Sequence, residues 1–243
     1  MIRANVRSHL GRDDAQLALR LIARGSHAEY ERLEGRLRDE GIDALLDDPR
    51  LVAALVESRQ GAHASFALFS YVVVRHALRA VGEDEAMLAD FAAAILLEFG
   101  TRDHARRISQ ADDQTYDTLA ELSGDVDDPD ARRAFLVRAH LGNYALWLSG
   151  VFPDYIESRR WRRGGPDLGY FEELGRRGYK LAADHRMSEQ LGLTTVFALA
   201  AERFPVLRVA LNKVSDSFLF PNVNSPDRLM RQVRDESRWR LGN

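Results

Sequence analysis

Apolar side chains recur every three to four positions along most of the chain, the spacing of α-helices with one buried face. In the range 83–99, for example, Met87, Phe91 and Ile95 follow one another at four-residue intervals. The same periodicity predicts helices over the ranges 13–24, 26–41, 50–60, 62–81, 83–99, 101–108, 129–150, 153–163, 168–185, 194–203, 205–218 and 226–239.

Local signals at the helix starts support this reading of the pattern. Ser26 stands three residues before Glu29, which is the spacing of a capping box. Asp48 is a favourable N-cap residue, and Pro49 behind it suits the first helical position. These residue pairs predict that two helices begin just after Ser26 and Asp48.

Strand signals are scarce. The β-branched run at 71–74 would suit a strand, but it lies in a helix-period segment without turn residues, so we predict a buried helix. No internal repeat is visible, which disfavours a solenoid. We therefore predict an all-α, multi-helical globular bundle of roughly ten helices, forming a single domain over residues 1–243. The Asp-rich segment 124–130 is a possible boundary between two helical lobes, 1–123 and 131–243.

Charge divides unevenly between these two halves. Residues 1–130 contain 15 arginines and 25 acidic residues, a net charge of −10. Residues 131–243 contain 19 basic and 12 acidic residues, a net charge of +7, so the whole chain carries −3. This asymmetry predicts either a charged partner or an acidic lobe and a basic lobe that face each other, and we favour the second interpretation.

Several kinds of chemistry are disfavoured by the sequence. The chain has no cysteine, which removes disulfides, thiol nucleophiles and thiolate metal sites. It also lacks a phosphate-binding loop, the paired histidines of zinc proteases, the Glu-x-x-His pairs of di-iron bundles and a serine nucleophile elbow. The sequence therefore predicts no metal site and no cofactor, and it favours a protein that is not an enzyme.

The sequence also bears on location. The first residues, Met1 to Arg7, lack the apolar stretch of a signal peptide. The longest apolar runs are shorter than the ~20 residues that cross a bilayer. We expect no membrane span and a cytoplasmic protein.

A basic segment is the first candidate for a functional surface. Its cations alternate with aromatic residues, as in proteins that hold phosphates while stacking on bases. Acidic residues interrupt it, so we favour a helical hairpin whose arginines are solvated. The alternative is a site for an anionic partner, and nucleic acid is one of several such partners. The candidate residues are Arg159, Arg160, Trp161, Arg162, Arg163, Arg176, Arg177 and Lys180.

The apolar helix around 140–150 is the second candidate. It is apolar on nearly every side, so its few polar groups are expected at or near the core. These groups either bond to neighbouring helices, which we favour, or line a pocket for a small molecule. The pocket candidates are His140, Asn143, Tyr144 and Trp147. Gly142 in the same helix would allow a neighbouring helix to approach closely.

The last predicted helix is mostly charged but carries a loose apolar stripe of Leu229, Met230, Val233 and Trp239. Such a stripe is typical of a helix that docks on its own body or on a second copy of the chain.

Three functions remain compatible with these residues. We favour a non-catalytic helical interaction or regulatory protein that self-associates or binds an anionic or protein partner. The alternative is a small-molecule-binding protein or enzyme with a buried pocket near His140, Asn143 and Tyr144. The third is nucleic-acid binding through the range 159–180.

Overall fold

The computed structural model describes residues 2–101, 104–109 and 112–241, with side chains as far as residue 237. Within these residues the chain is helical, with no strand, so the predicted all-α bundle is confirmed. The α-helices are α1 (Arg12–Ala23), α2 (His27–Glu40), α3 (Asp43–Leu46), α4 (Pro49–Glu57), α5 (Phe66–Arg79), α6 (Ala86–Phe99), α7 (Leu119–Gly124), α8 (Ala131–Val151), α9 (Pro153–Arg163), α10 (Leu168–Ala183), α11 (Arg186–Gln190), α12 (Thr194–Glu202), α13 (Phe204–Val214) and α14 (Pro226–Leu241).

Both predicted N-caps are confirmed, but the capping box at α2 is only half formed, because the Glu29 carboxylate bonds to Arg32 and Arg50 instead of the Ser26 backbone. The Ser26 hydroxyl accepts a hydrogen bond from the Glu29 backbone N–H at 3.3 Å, and α2 begins at the next residue. The Asp48 carboxylate accepts one from the Arg50 N–H at 2.9 Å, and Pro49 opens α4. Each cap satisfies a backbone donor that has no partner inside its helix.

Two of the predicted helices differ clearly from the structure. The range 62–81 is not one helix: residues Arg59–His63 form a 3₁₀ turn, and Ser65 then caps α5 by accepting from the Leu68 N–H. In the range 101–108 only a 3₁₀ turn, His104–Arg106, is seen, and residues 102–103 lie outside the described part. The short helices α3, α7 and α11 were missed, because four to six residues are too few to show a period.

Helix α8 lies at the centre of the fold. Most of its residues are buried, and it packs against α6, α10 and α13. The run 71–74 is buried inside helix α5, as predicted. One hydrophobic cluster draws residues from Ile2 through Val214, and therefore from both sides of the segment 124–130.

Two glycines allow α8 and α10 to come into backbone contact. A Cβ atom added at Gly142 would lie 2.4 Å from the Tyr179 ring, and one added at Gly178 would lie 2.7 Å from the Gly142 nitrogen. Real side chains at these positions would force the helices apart. The predicted role of Gly142 is thus confirmed, and the seam sets the position of the polar residues next to it.

Among the described helices, none combines the length and the apolar character needed to cross a bilayer.

Candidate ligand-binding cavity

A cavity of about 580 Å³ opens beside α8, between α6, the segment 104–109 and α11. Its size lies within the range of ~300–1,000 Å³ that is usual for small-molecule sites. Most of its wall is apolar. The residues that line it are Ile2, Glu98, Phe99, His104, Arg107, Ile108, Ser109, Arg132, Phe135, Leu136, Ala139, His140, Asn143, Met187 and Leu191.

His140 occupies the buried side of this cavity and is held in one tautomer. Its Nε2 lies 3.0 Å from the Ala105 carbonyl oxygen, which can only accept, so Nε2 carries the proton. Burial lowers the pKa of His140 to about 4, so the ring is neutral at pH 7. Its Nδ1 therefore has a lone pair to offer. No donor among the described residues bonds to Nδ1, and it is not one of the fully buried atoms that lack a partner.

Asn143 lies one turn further along the same face of α8. Its Oδ1 accepts a hydrogen bond from the Tyr179 hydroxyl at 3.0 Å across the α8–α10 seam. This bond fixes the orientation of the amide. Its Nδ2 donates to no described protein group and is not one of the enclosed atoms without a partner. His140 and Asn143 thus each use one polar atom in a hydrogen bond within the fold. The atoms left without a partner among the described residues are an acceptor, His140 Nδ1, and a donor, Asn143 Nδ2.

The other two pocket candidates do not line this cavity. Tyr144 follows Asn143 by one residue, a rotation of about 100°, and lines a separate cavity of about 370 Å³. Its hydroxyl donates to the Asp117 carbonyl at 3.5 Å. Trp147 lines neither cavity and packs against the rings of Phe99 and Phe152. The structure therefore places two of the four predicted pocket residues in the lining of this cavity, although the Tyr144 ring stacks between those of His140 and Trp147.

The arginines that line this cavity, Arg107 and Arg132, were not predicted from the sequence. Arg132 precedes Leu136 by four residues and His140 by eight, so all three share one face of α8. That spacing is visible in the sequence and could have pointed to Arg132. Arg107 could not have been found in this way, because only the tertiary fold brings the segment 104–109 against α8.

The basic segment faces solvent. Arg159, Arg162, Arg163 and Trp161 are exposed, whereas Arg160 is half-buried and lies 3.8 Å from Glu157 of the same helix. The second group of cations, Arg176, Arg177 and Lys180, is also exposed. The second group lines a different cavity from the one that Arg159 lines.

Most ion pairs between the acidic and basic halves are local, and one, between Arg203 and Glu83 at 3.7 Å, joins distant parts of the chain. Arg133, on the first turn of α8, lies 2.7 Å from Asp128 and 3.3 Å from Asp112. Arg138 pairs with Asp127 at 3.0 Å. These contacts tie α8 to the acidic segment that directly precedes it. The exposed arginines of α9 form no ion pair with the first half among the described residues, so these arginines are not held against the acidic half.

The C-terminal helix docks in an unexpected orientation. Its charged face is buried against the body, and its apolar stripe faces solvent. The buried ion pairs join Arg228 to Asp154 at 2.8 Å, Arg231 to Asp216 at 2.7 Å, and Asp235 to Arg208 of α13 at 2.7 Å. Leu229, Met230 and Val233 are 64, 67 and 60% exposed. The fourth member of the predicted stripe, Trp239, lies outside the residues whose side chains are described.

Exposed apolar side chains are concentrated near this stripe in the sequence. Ten large hydrophobic side chains are exposed in the described structure, and six of them lie within residues 219–233. Exposed apolar side chains that form a contiguous patch are typical of interaction sites. We call residues 219–233 the C-terminal apolar segment.

Helical bundles carry many unrelated functions, so the fold by itself does not indicate an activity. A similar protein of known function would narrow the choice. Compared with protein-family models, with curated proteins and with solved structures, the chain matches none.

Proposed function

We propose that this protein binds a small organic molecule in the cavity beside α8. One observation carries the proposal: His140 and Asn143, both buried, each keep an unused polar atom at an otherwise largely apolar cavity. Neither atom is fully enclosed in the free protein, so a ligand that displaced water without bonding to them would lose about 1–3 kcal/mol for each atom. A ligand that bonds to both atoms while filling the apolar space avoids this loss and displaces water from the walls.

The required ligand chemistry follows from these two atoms. His140 Nδ1 accepts and Asn143 Nδ2 donates, so a hydroxyl group would match both at once. The neutral imidazole excludes strong attraction of an anion at this end. The walls, which include Phe99, Phe135 and Leu136, suit a hydrocarbon or aromatic body. This site differs from the function that we favoured from the sequence, and it corresponds to the alternative.

Methionine NMR offers a direct test. The chain has four methionines. Met187 lines the cavity, Met87 lies in α6, and Met230 is exposed on the C-terminal apolar segment. With isotope-labelled methyl groups, the neutral fluorescent probe phenylnaphthylamine should shift the Met187 signal saturably and leave Met230 in place. The Met187→Leu variant assigns the signal.

A matched pair of variants locates the binding. Leu136→Trp places a large ring in the cavity and should abolish the fluorescence enhancement of the probe. Leu37→Trp changes another half-buried leucine, on α2 and away from the cavity, and should bind the probe normally. Circular dichroism confirms that both variants fold. If Met187 does not respond, or if both variants bind equally, the proposal is wrong.

A second candidate function is self-association, which the outward apolar stripe of α14 favours. Two copies packed antiparallel about a two-fold axis would cover each other's Leu229, Met230 and Val233. The same arrangement would bring Asp227 of each copy near Arg234 of the other, so that unlike charges meet at both ends. A second copy of this chain is therefore the partner that we propose for this surface, in a cytoplasmic setting.

Sedimentation across a range of protein concentrations tests this second candidate. The wild-type chain should show a dimer that the double variant Leu229→Glu, Val233→Glu loses. Val56→Glu changes an equally exposed valine of α4 and should keep the dimer. The Met230 methyl signal should shift on dilution while Met187 stays in place. A chain that remains monomeric at all concentrations would contradict the candidate.

A further inference from the structure

We infer that the ligand of the α8 cavity is an organic anion, whose charged group binds Arg107 and Arg132 and whose apolar body lies toward His140 and Asn143. This inference rests on the proposed function, because it specifies the chemical class of the molecule that would bind there. It is carried by the charges of the cavity lining and by the way they are distributed along α8.

The lining contains three permanently charged side chains and one histidine, His104. Glu98 is the single acidic residue in this lining, and it accepts a hydrogen bond from His104 Nδ1 at 3.1 Å. The two arginines, Arg107 and Arg132, are exposed and form no ion pair or side-chain hydrogen bond with a described residue. The cavity therefore carries an excess of positive charge with unused donors. A guanidinium group binds carboxylate or phosphate through two parallel hydrogen bonds.

Along one face of α8, a cationic side chain is followed by apolar side chains and then by uncharged polar side chains. Arg132 lies on the first turn, Leu136 and Ala139 follow, and His140 and Asn143 come last. Eight residues separate Arg132 from His140, which corresponds to about 12 Å along the helix axis. The site thus has a cationic end, an apolar middle and an uncharged hydrogen-bonding end.

A linear molecule with three matching parts fits this order: an anionic head, a hydrocarbon body and a hydroxyl group at the far end. The head would pair with the arginines. The hydroxyl would donate to His140 Nδ1 and accept from Asn143 Nδ2. A ten-carbon carboxylic acid spans a comparable length when extended, so saturated ten-carbon compounds are suitable probes.

Three probes separate the contributions of the two ends. Decanoate carries only the anionic group, decanol only a hydroxyl, and decanoate with a terminal hydroxyl carries both. Each is titrated, below its aggregation concentration, against the Met187 methyl signal. We expect the hydroxylated decanoate to bind most tightly, and decanoate to bind about tenfold more tightly than decanol, as a charge-assisted hydrogen bond predicts.

Variants then assign the preference to the two arginines. The double variant Arg107→Gln, Arg132→Gln should weaken both carboxylates about tenfold and leave decanol unchanged. The control Arg176→Gln, Arg177→Gln removes the same net charge from exposed residues of α10 and should leave all three affinities unchanged.

The outcomes distinguish the two proposals. If decanol and decanoate bind the cavity beside α8 with equal affinity, as measured from the Met187 signal, the inference of an anionic ligand is wrong while small-molecule binding stands. The same conclusion follows if the control variant weakens carboxylate binding as much as the arginine variant does, because the effect would then be general electrostatics. If none of the three probes shifts the Met187 signal, both the inference and the proposed function are overturned.

Discussion

Substitution of Gly178 by alanine tests whether the α8–α10 seam depends on a missing side chain. Gly178 lies inside α10, where alanine would ordinarily stabilise the helix by up to about 1 kcal/mol. The added Cβ would, however, lie 2.7 Å from the Gly142 nitrogen and 2.9 Å from the Arg138 carbonyl oxygen. Both neighbours are backbone atoms of α8, so neither can rotate away.

The size of the effect follows from these distances. Ordinary van der Waals contact begins near 3.4 Å, so α10 would have to move away from α8 by about 0.7 Å. A gap of that size removes a quarter to a half of the attractive energy of each contact that it opens. Overpacking of this kind costs about 1–3 kcal/mol. We therefore expect Gly178→Ala to lower the free energy of unfolding by about 1–2 kcal/mol, despite the better helix propensity. For a chain of this length, each kcal/mol corresponds to about 2–4 °C in Tm.

The matched control is Gly35→Ala in α2, where an added Cβ meets no atom within 4 Å. There only propensity acts, so this variant should be more stable than the wild type by about 0.5–1 kcal/mol. Urea unfolding followed by circular dichroism measures both. The reasoning is refuted if Gly178→Ala stabilises the protein as Gly35→Ala does, because the opposite signs rest on the backbone contact alone.

Three further predictions concern stability. Burial lowers the pKa of His140 from 6.5 to about 4, so between these pH values the unfolded chain binds more protons and the protein becomes less stable as the pH decreases. Between pH 7 and pH 5 the free energy of unfolding of the wild type should fall by about 2 kcal/mol more than that of His140→Gln, measured in urea. Equal losses would contradict the assignment. Arg208→Leu leaves the buried Asp235 carboxylate without its partner and should cost about 3–5 kcal/mol. Arg203→Leu removes a half-exposed arginine whose contact with Glu83 is long, at 3.7 Å, and should change stability by less than about 1 kcal/mol in the same assay. We also propose that the chain is one domain, so circular dichroism and tryptophan fluorescence should report a single coincident transition, and two separate transitions would indicate two lobes.

The helical class of this protein could be predicted from local patterns. The helix starts are set by residues next to them in the sequence, such as the N-caps Ser26 and Asp48 and the prolines near the caps. The 3.6-residue period is likewise a property of each helix alone. The prediction for α9 agrees with the observed bounds because Pro153 and Gly164 mark both ends locally. Short helices such as α3 and α11 could not be predicted, since four or five residues are too few to show a helical period.

The orientation of α14 could not be derived from its amphipathic pattern. That pattern would bury Leu229 and Met230, yet the buried face contains Arg228, Arg231 and Asp235. The reason lies in distant residues: Asp154 and Asp216 supply counter-charges that only the fold brings together. An ion pair between residues 77 positions apart leaves no periodic signal in the sequence.

By itself the sequence determined that the chain is helical, that α8 is the buried central helix, and that His140 and Asn143 share a face one turn apart, because each of these depends on residues within a few turns. The tertiary structure decided which polar atoms remain unused, since that depends on where Ala105 and Tyr179 supply hydrogen bonds. It also decided that Arg107 and Met187 join Arg132 around one cavity. Hydrogen-bond satisfaction and cavity shape are properties of several chain segments together, whereas periodicity belongs to one segment at a time.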